Sequence, residues 1–333
     1  MKMKRVSFKK IESDWLRFES ENSSTKIFQY YDIVQNVLHH YLFFTIERKE
    51  FPRFYAFYEN EKCVAIAPMC KRYARNGAYY TSFGAIADLA FQNFVYGNEL
   101  SIEQFDECMK LLYKRLKRIR FYRVPEETYL NDALKDNNIE IKNNINVAIE
   151  CENDYDHYFT NLSKSVRQNI RTAYNRIKKD GLEYDFNLYS SGNVTLKESN
   201  EIMDVYIKRR KNNYGLRYNV KIQEWFLRHY HYNTIGFRKL EEGMYAVLKI
   251  NGQVAAFWGG YVDRNRRYVI VPRLAINDEY YKYSPGYLLI NETMKILKKE
   301  YGVPVLDLSK GDEKYKYDLG GKAYSTYDYL VES

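Results

Sequence analysis

The chain has 333 residues, 45% hydrophobic and 29% charged, with a net charge of +9; this is an ordinary balance for a soluble globular protein, long enough to form two similar lobes or one large domain. No apolar run approaches the roughly 18 residues of a spanning helix, and the basic start MKMKRVSFKK has no apolar signal core behind it, so a cytoplasmic protein is expected. Cys63, Cys70, Cys108 and Cys151 lie far apart with no Cys-x-x-Cys pair, which argues against a zinc site and against a disulfide framework.

With 35 tyrosines, any single Tyr is weak evidence, and the stripe Tyr30, Tyr31, Tyr41, Phe43 and Phe44 reads as core. FYAFYENEKCVAIAPM, from Phe54, predicts a hairpin in which an alternating strand holding Tyr55 and Ala56 runs into a polar turn and resumes at Val64. Residues 78–83 continue as strand, IEQFDECMKLLYKRLKRI as helix and RFYRVP as strand. Residues 125–150 read as a connecting helix and strand, with NNINVAIE opening a second lobe and a boundary near residue 149.

The second half is the more basic one, +6 against +3. Residues 163–180, SKSVRQNIRTAYNRIKKD, carry a local +5 and predict a helix with Val166, Ile170, Ala173 and Ile177 inward and Gly181 at its end. Arg167 and Arg171 stand one turn apart on it, as a solvated basic face or as a clamp for phosphate or an acidic sugar. RRKNNYGLRY, from Arg209, combines groups suited to a sugar or nucleotide, and suits a surface helix end equally well. His229 and His231 are two apart in a predicted helix and point to different faces, so no metal is expected there.

MYAVLKINGQVAAFWG, from Met244, aligns without a gap with the first hairpin at an offset of 190. It too is followed by strand (residues 267–276), helix and strand, which is what duplication of one α/β module leaves. The last such helix is predicted from Leu288, Leu289, Thr293, Ile296 and Leu297, with Ser284 as N-cap, Pro285 at the first position, and Gly302 and Pro304 ending it. A Ser-Pro-Gly helix start exposes N–H groups to a phosphate, and it is also a common αβ turn. In the following VPVLDL, Asp307 interrupts an apolar strand and needs a partner or a function.

YSPGYLL, LDLSKGDEKYK and YDLG together resemble the C-terminal signature of the GNAT acyltransferase superfamily, in the branch typified by CelD-like acetyltransferases of cellulose and polysaccharide biosynthesis. LSKSVRQNIRTAYNRIKKDGLEYDF is similar to the Ser-Lys-x-x-Arg helix that opens the catalytic lobe of that branch, and a related pattern occurs in the Fem peptidyltransferases. The resemblance implies an α/β (α+β) fold of tandem GNAT-like lobes, each a mixed, mostly antiparallel sheet flanked by helices. The implied division is a degenerate lobe over residues 1–149 and a catalytic one over 150–333.

It also implies acetyl-CoA or another acyl-CoA as co-substrate, its pyrophosphate on the amides at Ser284, Pro285, Gly286 and Tyr287. Backbone N–H groups around Leu274 would polarise the thioester carbonyl. The usual Arg/Gln-x-x-Gly-x-Gly/Ala loop is absent. The acceptor phosphate or sugar would meet Lys164, Arg167 and Arg171. Asp307, Asp312 and Glu313 are the carboxylates placed to handle the amine's proton, the last two being equally suited to capping the next helix. Lys316 falls where many GNAT enzymes carry a tyrosine that protonates the leaving thiolate. It suits an electrostatic stabiliser with Tyr315 or Tyr317 as proton donor, or an ion pair with Asp312 or Asp318.

The expected function is N-acylation of an amino sugar or other amine in cell-surface polysaccharide or lipid biosynthesis. The alternatives are a Fem-like transferase taking aminoacyl-tRNA to a peptidoglycan precursor, and a non-catalytic binding module. No inserted coiled-coil arm of the kind several Fem enzymes use for tRNA is present in the sequence.

Overall fold

The computed structural model describes residues 1–22, 25–39, 50–74, 77–84, 91–135, 139–150, 154–190, 193–214, 224–225, 228 and 240–332. The expectations placed on Tyr41, Phe43, Phe44, Cys151, residues 215–218, His229 and His231 fall outside them. The chain forms two compact units, Met1–Ile145 with Ser325–Ser333, and Asn146–Tyr324. The first unit thus ends four residues before the expected boundary and takes in a C-terminal segment that a single cut at 149 assigns to the second. Among the described residues no helix is long and apolar enough to cross a membrane.

In the first unit the elements are β1 (Lys2–Val6), α1 (Glu12–Glu21), α2 (Tyr31–His39), β2 (Glu50–Glu59), β3 (Lys62–Ala74), β4 (Gly77–Ser82), β5 (Val95–Tyr96), α3 (Ile102–Arg115), β6 (Arg118–Pro125) and α4 (Tyr129–Lys135). The end of β13 (Lys322–Glu332) closes the strand order β1-β2-β3-β4-β6-β13, antiparallel except where β4 meets β6. Ser101 starts α3 through a capping box: its hydroxyl accepts the Gln104 N–H at 3.2 Å while Gln104 accepts the Ser101 N–H at 3.0 Å. Phe105, Cys108, Met109 and Leu112 then repeat at helical spacing and bury against Tyr55, Phe57, Ile119 and Phe121.

The second unit runs from the end of β7 (Ile139–Glu150) through α5 (Tyr155–Asn161), α6 (Lys164–Lys179), β8 (Tyr184–Ser190), α7 (Leu196–Tyr214), β9 (Gly243–Ile250), β10 (Gln253–Val262) and β11 (Val269–Ile276). A 3-10 turn (Asp278–Tyr283), α8 (Pro285–Tyr301), β12 (Val305–Lys310) and α9 (Lys314–Asp318) follow. Its strand order is β7-β12-β11-β10-β9-β8, antiparallel except for β11 beside β12.

Leu288, Leu289 and Leu297 of α8 pack with Ile170, Ala173 and Ile177 of α6 and with Ala246, Leu248 and Trp258 of the sheet. Each such side chain contributes about 1.5–3 kcal/mol when fully buried. Ile296 is only partly buried; Ile290, Asn291 and Met294 are buried instead, so α8 is enclosed on more of its circumference than one apolar stripe implies. Gly302 ends it at φ 68°, with Val303 N–H reaching the Leu297 carbonyl at 3.3 Å.

From β2 in the first unit and β9 in the second, and setting aside the two-residue β5 and the 3-10 turn, both run three antiparallel strands, helix, parallel strand, short helix. The two hairpins also match in backbone detail. Asn60 and Glu61 (φ 46° and 65°) and Asn251 and Gly252 (φ 50° and 75°) are both left-handed pairs in a two-residue loop, the turn whose twist suits flanking strands. Two paired residues past each turn the strand carries an extra residue, Val64 in the first hairpin and Ala255 in the second.

Candidate functional site

The parallel strands β11 and β12 share two register pairs, Val269 with Leu306 and Ile270 with Asp307. Past Asp307, β12 stays paired with β7 as far as Lys310 opposite Asn146, whereas β11 runs on to Ile276 along β10. The two strands therefore part, and residues 271–276 of β11 have no strand on that side among the described residues. Opposite Gly260 of β10, β11 carries two residues, Val271 and Pro272, which forms a β-bulge at the parting point. Only glycine fits at 260, since a Cβ would lie 2.2 Å from the Ile270 carbonyl oxygen. Leu274, the residue expected beside a thioester carbonyl, sits on this open stretch opposite Trp258.

From the end of β11 the chain turns into α8. Ser284 occupies the N-cap position in a left-handed conformation, φ 49° and ψ 51°, and its hydroxyl makes no capping hydrogen bond. The Ser284 carbonyl takes that role, accepting the Tyr287 and Leu288 N–H groups at 3.0 and 3.2 Å. Pro285 has no N–H, so Gly286 carries the one amide of this turn without an acceptor among the described residues. A Cβ there would meet only Ile276 Cγ2 at 3.4 Å, so a side chain at this position has room. The Tyr287 hydroxyl donates to Asp318 at 2.8 Å and ties the helix start to α9.

At the end of β12, Leu308 and Ser309 together oppose Val147 of β7, and Ser309 is left-handed at φ 57°. Its N–H donates to Asp307 Oδ1 at 2.7 Å, and the Tyr324 hydroxyl donates to Asp307 Oδ2 at 2.6 Å. Burial pushes the Asp307 carboxyl up to about 6, against the pull of those two hydrogen bonds and of the Lys316 charge. Lys316 is itself buried, its ammonium donating to the carbonyls of Ser309, Lys310 and Gly311 at 3.2, 3.1 and 3.2 Å and pairing with Glu313 at 3.1 Å. The ion pair is thus with Glu313, not with Asp312, which accepts the Tyr317 hydroxyl, or with Asp318, which pairs with Lys314 and accepts the Tyr287 hydroxyl.

Asp312 accepts the Tyr317 hydroxyl, and neither it nor Glu313 makes a side-chain cap on α9. Tyr315 is half-buried, and burial followed by the Glu313 charge pushes its hydroxyl up to about 12, with Arg209 of α7 opposing. On α6, Arg167 donates to the carbonyls of Thr160 and Leu162 and so closes the end of α5. Arg171 lies over the Phe159 ring at 5.6 Å, and Lys164 is exposed. The structure therefore gathers Asp307, Lys316, Glu313 and Tyr315 around the β12–α9 turn and places Lys164, Arg167 and Arg171 on a separate helix. Ser309 and Tyr324 join the first group without having been singled out in the sequence, and Arg209, singled out there for a sugar or nucleotide, places its charge near Tyr315 instead. The only signal for Tyr324 is its place on a strand of alternating polar and aromatic residues, which names no partner. Among the described residues no group of three or more His, Cys, Asp or Glu is placed to hold a metal ion.

Residues 164–317 match the family model of the acetyltransferase (GNAT) domain. No curated protein sequence matches the chain. Among solved structures, FemX is similar with a TM-score of 0.61 at 9% identity, covering 100% of this chain and 98% of its own. A conserved protein of unknown function from Bacteroides thetaiotaomicron gives 0.59 at 13% identity, with 99% of both chains covered. A tandem GNAT protein from the clavulanic acid biosynthesis pathway gives 0.55 at 9% identity, covering 99% of this chain and 98% of its own. The fold is that of a tandem GNAT protein, and the matched segment spans α6 to α9, which holds the β11–β12 parting, the start of α8 and the Asp307–Lys316 cluster.

Proposed function

We propose that the protein is an acyl-CoA-dependent N-acyltransferase acting on an amino sugar or other amine in cell-surface polysaccharide or lipid biosynthesis, working in the cytoplasm. The observation that carries the reading is the parting of β11 and β12 next to the Gly286 amide, which has no acceptor among the described residues. An extended pantetheine arm fits alongside a strand that has lost its neighbour, because it can hydrogen-bond to the vacant edge as a strand would. One free amide and the positive helix end then suit a single pyrophosphate oxygen.

Amine attack on a thioester needs a neutral amine, a polarised carbonyl and a proton for the leaving thiolate. Backbone amides of the open edge near Leu274 polarise the carbonyl. Asp307, held near 6 by burial and so ionised at neutral pH, acts through the Tyr324 hydroxyl, which passes its proton to Asp307 Oδ2 as it takes one from the amine. Tyr315 donates the proton that the sulfur collects. Lys316 holds the turn carrying these groups, and Arg167, Arg171 and Lys164 receive an anionic acceptor.

The test is a thermal-shift panel of acetyl-CoA, longer acyl-CoAs, aminoacyl-tRNA and UDP-amino sugars, paired with a thiol-release assay. A saturable rise in Tm with a CoA ester, and thiol release that needs the amine, are expected. A response confined to aminoacyl-tRNA would replace the donor. CoA binding without turnover would leave a binding module.

A further inference from the structure

The basic segment 163–180 contains a single acid, Asp180, which is the C-cap residue of α6. The proposed reaction makes no use of it. Its Oδ2 accepts the Tyr283 hydroxyl at 2.7 Å and the Lys282 ammonium at 2.8 Å. From one turn back on α6, Arg176 donates to the Lys282 carbonyl at 2.9 Å. Three bonds therefore fix the last two residues of the 3-10 turn to α6, directly before Ser284. The Lys282 ion pair is exposed and contributes little. The Tyr283 bond carries more weight, because that ring is 4% exposed within the core and its hydroxyl meets a charged acceptor.

Ser284 links this anchored turn to the buried Pro285 and Leu288 of α8. Left-handed backbone is disfavoured for a residue with a Cβ, and it persists where the surroundings fix it. Its consequence falls on Gly286. An N-cap serine in the usual extended conformation turns its hydroxyl onto the N–H of the second or third helical residue, here Gly286 or Tyr287. In the left-handed form the Ser284 hydroxyl makes no such bond. The partly exposed Gly286 thus keeps its N–H without an acceptor among the described residues.

We infer that Asp180 is a positioning residue for the donor: by tethering Lys282 and Tyr283 it holds Ser284 left-handed and so reserves the Gly286 amide for the diphosphate of the CoA ester. When the tether is lost, Ser284 relaxes to the extended N-cap form and its own hydroxyl takes that amide. The role in donor binding rests on the acyl-CoA reading proposed above, whereas the effect on the backbone does not.

The experiment uses the full chain, isotopically labelled at glycine, as the wild type, Asp180→Ala and the double variant Asp180→Ala with Ser284→Gly. Two quantities are read: exchange of the Gly286 amide with water, and affinity for acetyl-CoA and for S-acetylpantetheine, which lacks the diphosphate. Asp180→Ala should slow Gly286 exchange and weaken acetyl-CoA about tenfold, as expected for one lost hydrogen bond to a charged group, with S-acetylpantetheine bound as before. Adding Ser284→Gly should restore both quantities, because glycine takes the left-handed form unaided and has no hydroxyl to cap the helix. Unchanged Gly286 exchange in Asp180→Ala, equal weakening of both ligands, or no rescue overturns the inference. The expected exchange pattern with no acetyl-CoA binding by any form overturns the CoA reading and leaves the tether standing. Tyr283→Phe removes one hydroxyl from the same tether and should slow Gly286 exchange in the same way, which keeps the test decisive if Asp180→Ala does not fold.

Discussion

The two units contain the same backbone device at the same place, filled with different chemistry. In the first, Tyr122 and Arg123 of β6 oppose Asp328 of β13, and Arg123 is left-handed at φ 52°. Its N–H donates across to Asp328 on the facing strand at 2.9 Å, whereas the Ser309 N–H donates to Asp307 on its own strand. What surrounds each bulge differs. Around the first, Asn144 donates to Asp328 at 2.8 Å, and the turn into α4 is closed by neutral groups, Thr128 on the Pro125 carbonyl and Asn131 on that of Glu126, both at 2.9 Å. Around the second the corresponding positions hold a phenol, Tyr324, and an ammonium, Lys316. The duplicated bulge is thus a structural solution in one unit and, in the proposed reaction, a proton-handling one in the other.

The largest expected effect comes from removing the charged staple. Lys316→Met leaves three carbonyls of the β12–α9 turn without their donor and should cost about 3 kcal/mol of stability, with turnover falling at least about a hundredfold. Urea unfolding and initial rates read this, and an unchanged midpoint would mean the staple is not needed to hold the bulge.

Next is Asp307→Asn. The amide still accepts the Ser309 N–H and offers a donor to Tyr324, so the fold should survive while turnover falls about a hundredfold. Stability gives a second readout. The folded-state value near 6 lies above the ordinary carboxylate value of 3.8, so the folded chain binds the proton more tightly than the unfolded one. The favourable contribution is complete below about pH 4 and lost as pH rises through 6, about 3 kcal/mol in all. Unfolding free energies measured from pH 4 to 8 should show this decline in the wild type and lack it in Asp307→Asn. Equal pH profiles would mean that the folded chain does not raise the Asp307 carboxyl.

The smallest effect is expected in the other unit. Asp328→Asn keeps an amide oxygen that can accept from both the Arg123 N–H and the Asn144 amide, so it weakens two charge-assisted bonds without removing them and should cost about 1 kcal/mol with kcat unchanged. A fall in kcat matching that of Asp307→Asn would dissolve the contrast between the units.

The hairpins, α3, α6 and α8 were legible because their signals are local: alternation into a polar turn, a Ser before an amphipathic run, a Gly at the end. Asp307 stood out for the same reason, as a carboxylate in an apolar strand. Its partners did not. Tyr324 lies 17 residues on, and Lys316, whose charge also favours the carboxylate, comes from the next helix. Such contacts follow from strand order and leave no period in the sequence. The Ser284 cap was misjudged in detail because a left-handed residue lets a carbonyl do what a hydroxyl usually does. The last strand escaped the domain reading because chain order suggests one boundary where the fold has two.

That last strand has a consequence for how the protein is made. β6 has β4 on one side, but its other partner is residues 326–332, about 200 residues further along the chain. At 5–20 residues per second on the ribosome, the edge bearing Phe121 waits roughly 10–40 seconds after its own synthesis before it can be covered. Through that interval the first unit is an incomplete sheet with an open hydrophobic margin, the kind of edge that recruits other strands. Folding yield should therefore depend on translation speed and on chaperones more than the stability of the finished protein suggests.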